Sequence, residues 1–188
     1  MKKTLLILVI TLLAGCTASV VNQSKKLIGH KLYQDSIDSL ASNIRIEQGQ
    51  NFSVRLYPNG CITSMQPKFL MSPEVESIGV LGGEARYKPK SLNMPYPPKN
   101  IQFAEFKIPS EHFIALSAYK SYHTGTELRG CSVEAVYKFA SNKNYELLDR
   151  EGGNQCSLEV HEILSTGERI ELKPLKYLRN INEWAGCE

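Results

Sequence analysis

Five cysteines (Cys16, Cys61, Cys131, Cys156, Cys187) and four histidines (His30, His112, His123, His161) are the side chains best suited to covalent, metal or proton-transfer chemistry. Their spacing narrows what that chemistry is. The cysteines lack the paired CxxC arrangement of a zinc site. His123 and Glu127 are four residues apart, but Thr124-Gly125-Thr126 between them disfavours the helix that would bring them together, so His123 reads as a solvated loop residue. His161 falls on the polar face of a strand with Glu159 and beside Glu162, a surface position. There is no GxSxG elbow, Walker loop, Rossmann fingerprint or HExxH, and Gly82-Gly83-Glu84 lacks the Lys-Ser/Thr needed to hold phosphate. The pattern points to no catalytic residue, no metal ligand set and no cofactor.

Cys16 stands apart because of what precedes it. Lys2 and Lys3 are followed by an apolar run from Leu5 to Leu13 and a small-residue exit, the parts of a secretory signal peptide and too short for a spanning helix. The tetrapeptide Leu13-Ala14-Gly15-Cys16 resembles the lipobox of bacterial lipoproteins, in which the cysteine thiol is lipidated and becomes the new N-terminus. That resemblance implies removal of residues 1–15 and anchoring through acyl chains on Cys16. Two or more chains give durable attachment where one is marginal, because each buried methylene contributes about 0.8 kcal/mol. Thr17 and Ala18 follow the cysteine, without the Asp that favours inner-membrane retention. The expected location is the inner leaflet of the outer membrane, facing the periplasm.

Setting aside Lys2 and Lys3 from the 22 Lys and Arg leaves 20, against 19 Asp and Glu. A mature chain so close to neutral has little attraction for polyanions, and no basic stripe interleaved with aromatics is present, so nucleic acid is excluded as a partner. Its length suits one domain, and it contains no repeat, heptad run or low-complexity tract.

The elements that would position any site are mostly short strands. Residues 16–42 read as a lipidated tether, polar and small as far as Lys26, with Ile28, Leu32, Leu40 and Ala41 spaced for one short helix. From residue 43 onward the expectation is a single domain. Phe52, Val54 and Leu56 alternate with Ser53, Arg55 and Tyr57 before Pro58-Asn59-Gly60, a strand and a turn. Pro67 to Lys99 is rich in proline and glycine and reads mainly as a long loop, with one short strand near Ser77 to Leu81. Ile101 to Ile108 and Phe113 to Tyr119 carry apolar residues on both faces, as central strands do. Alternation returns at Val133 to Phe139, Tyr145 to Leu148, Leu158 to His161, and Ile170 to Leu172. Short strands, frequent turns and no sustained helical period predict an all-β fold, an antiparallel sandwich of Ig-like or transthyretin-like two-sheet architecture.

With Cys16 set aside, four thiols remain in an oxidising compartment, which favours two disulfides among three possible pairings. Cys131 shares a strand face with Val133, and Cys156 with Leu158, so both point inward. Within one flat three-stranded meander they would be two ladder spacings apart, roughly 10 Å, too far for a bridge. Cys131–Cys156 is therefore expected to join facing sheets, or an edge where the middle strand has ended. Cys61 and Cys187 pair by elimination.

Pro97-Pro98, Glu105-Phe106-Lys107-Ile108-Pro109, Cys131, Phe139, Asn144-Tyr145-Glu146 and Cys156-Ser157-Leu158 together resemble a loose pattern found in small bacterial lipoproteins of unknown function. The pattern spans about a third of the chain and implies no activity. The chain departs from it at Ser141-Asn142-Lys143-Asn144, where a proline and glycine are more usual.

The functional expectation is a non-enzymatic, membrane-anchored lipoprotein that binds another envelope component, either a protein or peptidoglycan. The second expectation is a periplasmic inhibitor or immunity lipoprotein that blocks a toxin or lytic enzyme. A hydrolase would have to draw on Glu74, Glu76 and Glu84, which read as a solvated acidic loop. Glu84, Tyr87 and Tyr96, in or beside the proline-rich segment, are the candidate partner-binding residues. The aromatics there, with Phe103 and Phe106, either cover a sheet edge or face a partner.

Overall fold

A computed structural model describes residues 31–47, 52–57, 67–72, 74–78, 85–96, 103–124, 127–148 and 156–178. Within them lie β1 (Lys31–Leu32), β2 (Ser42–Glu47), β3 (Phe52–Tyr57), β4 (Phe69–Met71), β5 (Glu74–Ile78), β6 (Ala85–Lys88) and β7 (Phe103–Ile108). They are followed by β8 (Phe113–Thr124), β9 (Glu127–Lys138), β10 (Asn144–Leu148), β11 (Glu159–Ile163), β12 (Arg169–Leu172) and β13 (Lys176–Tyr177). A six-stranded sheet runs β1-β4-β3-β8-β9-β13, a five-stranded sheet runs β12-β11-β10-β2-β7, and β5 pairs with β6 alone. The two larger sheets pack as the β-sandwich that the alternation predicts. Each also contains one parallel pair, β1 with β4 and β10 with β2, so the sheets are mixed rather than purely antiparallel.

Alternation decides which side chains meet between the sheets. Phe52 and Val54 on β3, Ile114 and Leu116 on β8, and Ala135 and Tyr137 on β9 face Ile44 and Ile46 on β2, Phe106 and Ile108 on β7, and Tyr145 and Leu147 on β10. Burial of each large apolar side chain here contributes about 1.5 to 3 kcal/mol. Three edge-to-face contacts tie the layers at two separate points: Phe139 meets Tyr145 at 4.8 Å, and Tyr33 meets both Phe69 at 6.4 Å and Phe106 at 6.2 Å.

The described part of the expected N-terminal helix, from residue 31, is not helical. It consists of β1, a stretch without regular structure and a turn at 39–40. Long-range bonds override the weak helical spacing. Tyr33 is buried and donates its hydroxyl to the Lys107 carbonyl at 2.7 Å, and the Asp35 carboxylate accepts the Lys107 amide at 3.1 Å. The proline-rich segment likewise holds more strand than expected, namely β4, β5 and β6.

β8 is central as predicted, but β7 lies at a sheet edge. Its outward bonding groups are nevertheless used. Lys90 donates its amide to Phe103 and accepts that of Glu105, and Ser36 donates to Lys107. An edge occupied in this way is closed to further strand pairing. His123 sits in β8 rather than in a loop.

Cys131 on β9 and Cys156, three residues before β11, form a disulfide across 25 residues with Cα atoms 5.6 Å apart. The bridge ties the six-stranded sheet to the segment entering the five-stranded one, the first of the two arrangements that strand parity allows. Cys61 and Cys187 lie outside the described residues.

Candidate functional site

Three strands of the five-stranded sheet share one local pattern, a charge between two apolar residues. These are Ile44-Arg45-Ile46 on β2, Ala104-Glu105-Phe106 on β7 and Tyr145-Glu146-Leu147 on β10. The apolar neighbours enter the core, so the charges must emerge on the opposite face. Register lines them up. Arg45 lies opposite both Glu105 and Glu146, Glu146 lies opposite His161, and His161 lies opposite Glu171. A charged row therefore crosses all five strands.

Most of this row is hidden from water: Arg45 is fully buried, Glu105 is 1 % exposed and Glu146 is 3 % exposed. The residues that bond to Arg45 and Glu105 belong to the strap 91–96, between β6 and β7. The Arg45 guanidinium donates to Glu105 Oε1 at 2.8 and 3.0 Å, to the Tyr96 carbonyl at 2.7 Å, and to the Pro95 and Met94 carbonyls at 3.3 and 3.4 Å. Glu105 Oε2 in turn accepts the Leu92 amide at 2.5 Å, the Met94 amide at 3.3 Å and the Ser91 hydroxyl at 3.3 Å. One ion pair thus satisfies the backbone of a segment that has no ladder of its own. Farther along the row, Arg169 donates to Glu146 Oε2 at 2.7 Å, and that bond holds its guanidinium charged above the usual range. Glu146 Oε1 lies 3.8 Å from Arg45, within ion-pair range but too far for a hydrogen bond.

The strap ends at Tyr96, whose hydroxyl donates to the Ser165 carbonyl at 2.6 Å. Its ring lies over Gly167, where φ is +86° and a Cβ atom would stand 2.8 Å from ring Cε1. Only glycine suits that position, on both backbone and steric grounds. Gly167→Ala is expected to destabilise the fold by about 1 to 2 kcal/mol and shift Tyr96. A lower urea midpoint with an altered Tyr96 resonance would show this, and an unchanged midpoint would refute the contact.

Between the strap and two neighbouring turns lies a cavity of about 550 Å³. Pro95 and Tyr96 line one side, Asn142 to Asn144 a second, and Glu162 to Thr166 the third. Lys143 Nζ and Glu162 Oε1 are paired at 2.9 Å across its wall. The Glu162 carboxylate raises the Lys143 pKa. Asn93, Tyr96 and Asn142 all adopt positive φ, at 59°, 54° and 57°. Asparagine adopts this conformation readily in turns, whereas a bulky residue such as Tyr96 keeps it only where its surroundings enforce it.

Glu47, two residues beyond Arg45 on the same face, titrates above its ordinary 4.5 because of burial first and the Glu146 charge second, with Arg169 and Arg45 opposing. Its ionised form is therefore disfavoured in the folded state. That cost is absent below the unfolded pKa, where both states are protonated, and full once pH exceeds the raised folded value. Glu47→Gln should accordingly unfold at a higher urea concentration than the wild type at pH 7, with the gap closing as pH falls toward 4.5. A gap that widens on acidification would contradict this assignment.

Of the residues singled out from sequence, Tyr96 enters this site and Cys131 with Cys156 forms the bridge. The backbone of Tyr87 belongs to β6, while its side chain, like Glu84 and Cys16, lies outside what is described. His161 is not a free surface residue: its side chain is 12 % exposed and its Nδ1 is buried without a hydrogen-bond partner. Among the described residues, no three or more His, Cys, Asp or Glu side chains are grouped to hold a metal ion. Arg45, Glu105, Glu146, Lys143 and Glu162 escaped the sequence reading as site residues. The available signal was opposite charges flanked by core residues on three separate strands. No family model and no curated protein matches this chain.

Proposed function

We propose that the protein is a lipid-anchored lipoprotein of the cell envelope that acts by binding another envelope component, without turnover. The strap-locked Tyr96 beside the polar cavity carries this reading. A ring fixed by a buried ion pair, its own hydroxyl and a glycine beneath it is pre-organised for contact, which reduces the ordering cost of association. The carboxylate in the cavity wall, Glu162, is committed to Lys143, an arrangement suited to holding a ligand rather than relaying a proton. The lipobox at Leu13 to Cys16 supports the address, and the Cys131–Cys156 bridge suits an oxidising compartment.

The test is photo-crosslinking in living cells with a probe amino acid at Tyr96 of the full-length protein. One dominant adduct is expected, either with a single envelope protein or with purified sacculi. Adducts spread thinly over abundant neighbours would overturn the binding role.

A further inference from the structure

We propose that the cavity beside Tyr96 is a binding site for an uncharged N-acetylated amino sugar, an inference that rests on the binding role above and names its ligand class. A volume of about 550 Å³ lies within the range of small-molecule sites, roughly 300 to 1,000 Å³. The two formal charges in its lining, Lys143 and Glu162, neutralise each other at 2.9 Å. A charged ligand would lose hydration there without gaining an unpaired counter-ion, whereas a neutral one avoids that penalty.

The remaining lining is divided in the way a sugar ring requires. Tyr96, Pro95 and Leu164 supply apolar surface for the C–H face of a pyranose. The Asn142 carboxamide and the Ser165 hydroxyl have no protein partner among the described residues. Together they offer donors and acceptors to sugar hydroxyls and an acetamido group. The Tyr96 ring is held before any ligand arrives by its bond to the Ser165 carbonyl and its contact with Gly167.

The experiment is a titration of the full-length lipidated protein in detergent with triacetylchitotriose and with cellotriose, which keeps the rings and hydroxyls but lacks acetamido groups. Triacetylchitotriose should bind about tenfold or more tightly than cellotriose, since a site built around a polar group rejects an analogue lacking it. Tyr96→Ala should weaken triacetylchitotriose binding by about tenfold, through loss of the aromatic surface. Because that change also loosens the strap, Asn142→Gly provides a second variant that keeps the left-handed backbone while removing the carboxamide, with an expected loss of about three- to tenfold. Equal binding of the two sugars, binding indifferent to both variants, or no binding of either sugar would each overturn the proposal. If the sugars fail while the Tyr96 probe still captures one partner, the binding role stands and only its ligand class falls. If the crosslinks are diffuse as well, both fall.

Discussion

Arg45→Met should lower the thermal midpoint by roughly 10 °C, the largest drop expected of any single side chain in the buried charged row. The substitution leaves the Glu105 carboxylate buried beside uncharged strap donors and strips the Tyr96 carbonyl of its closest donor. Breaking one member of a buried ion pair costs about 3 to 5 kcal/mol, because the surviving charge has no water to return to. In a domain of this length each kcal/mol moves Tm by roughly 2 to 4 °C. The companion experiment is the double variant Arg45→Met with Glu105→Leu, which removes both charges and should recover a large part of the loss. Hydrogen exchange supplies a local reading: the Leu92 and Met94 amides, both held by Glu105, should lose protection in the single variant. If the single variant melts within 2 °C of the wild type, the strap is not held by this pair.

The second large effect is expected from replacing both Cys131 and Cys156 with serine. Closing a loop of 25 residues restricts the unfolded chain by about 3 to 4 kcal/mol in the chain-entropy treatment, within the usual range for native bridges. This bridge is also a covalent tie between the sheets, close to the entry into β11 and hence to the His161 end of the charged row. The double serine variant should therefore unfold at a distinctly lower urea concentration and show faster exchange in β11 and β12 than in β8. A midpoint indistinguishable from the wild type would mean that core packing alone holds the two layers together.

Particular residues explain why the sandwich was legible and the strap was not. Alternation on β3, β9 and β10 records one buried face against one outer face, a pattern that the sequence states locally. The parity of Cys131 and Cys156 carries the same information, and an inter-sheet bridge is one of the two arrangements it allows. β7 is different. Ala104, Phe106 and Ile108 are buried on its inner face and Glu105 on its outer one, but periodicity reports only that something covers a face and not whether the cover is a strand or a strap. The cover comes from Met94 and its neighbours, in a stretch of Ser, Asn and Pro that reads as loop because its hydrogen bonds go to side chains 11 to 51 residues away. The false helix near Leu32 has a related cause. A few residues match a 3.6-residue spacing by chance, while Tyr33 and Asp35 are claimed by β7 across more than seventy residues. His161 was misplaced because alternation assigns it to the outer face without showing that this face holds a buried charged row.

The anchored role depends most on Cys16. Acylation there would place the sandwich, its disulfide and the Tyr96 cavity at a membrane surface in an oxidising space. The direct measurement is metabolic labelling of cells with an alkyne-bearing fatty acid, followed by capture of the full-length protein and of its Cys16→Ser variant. The wild type should carry the label and fractionate with outer membranes, and the variant should do neither. A wild type as unlabelled as the variant would contradict the anchored, periplasm-facing role at its foundation.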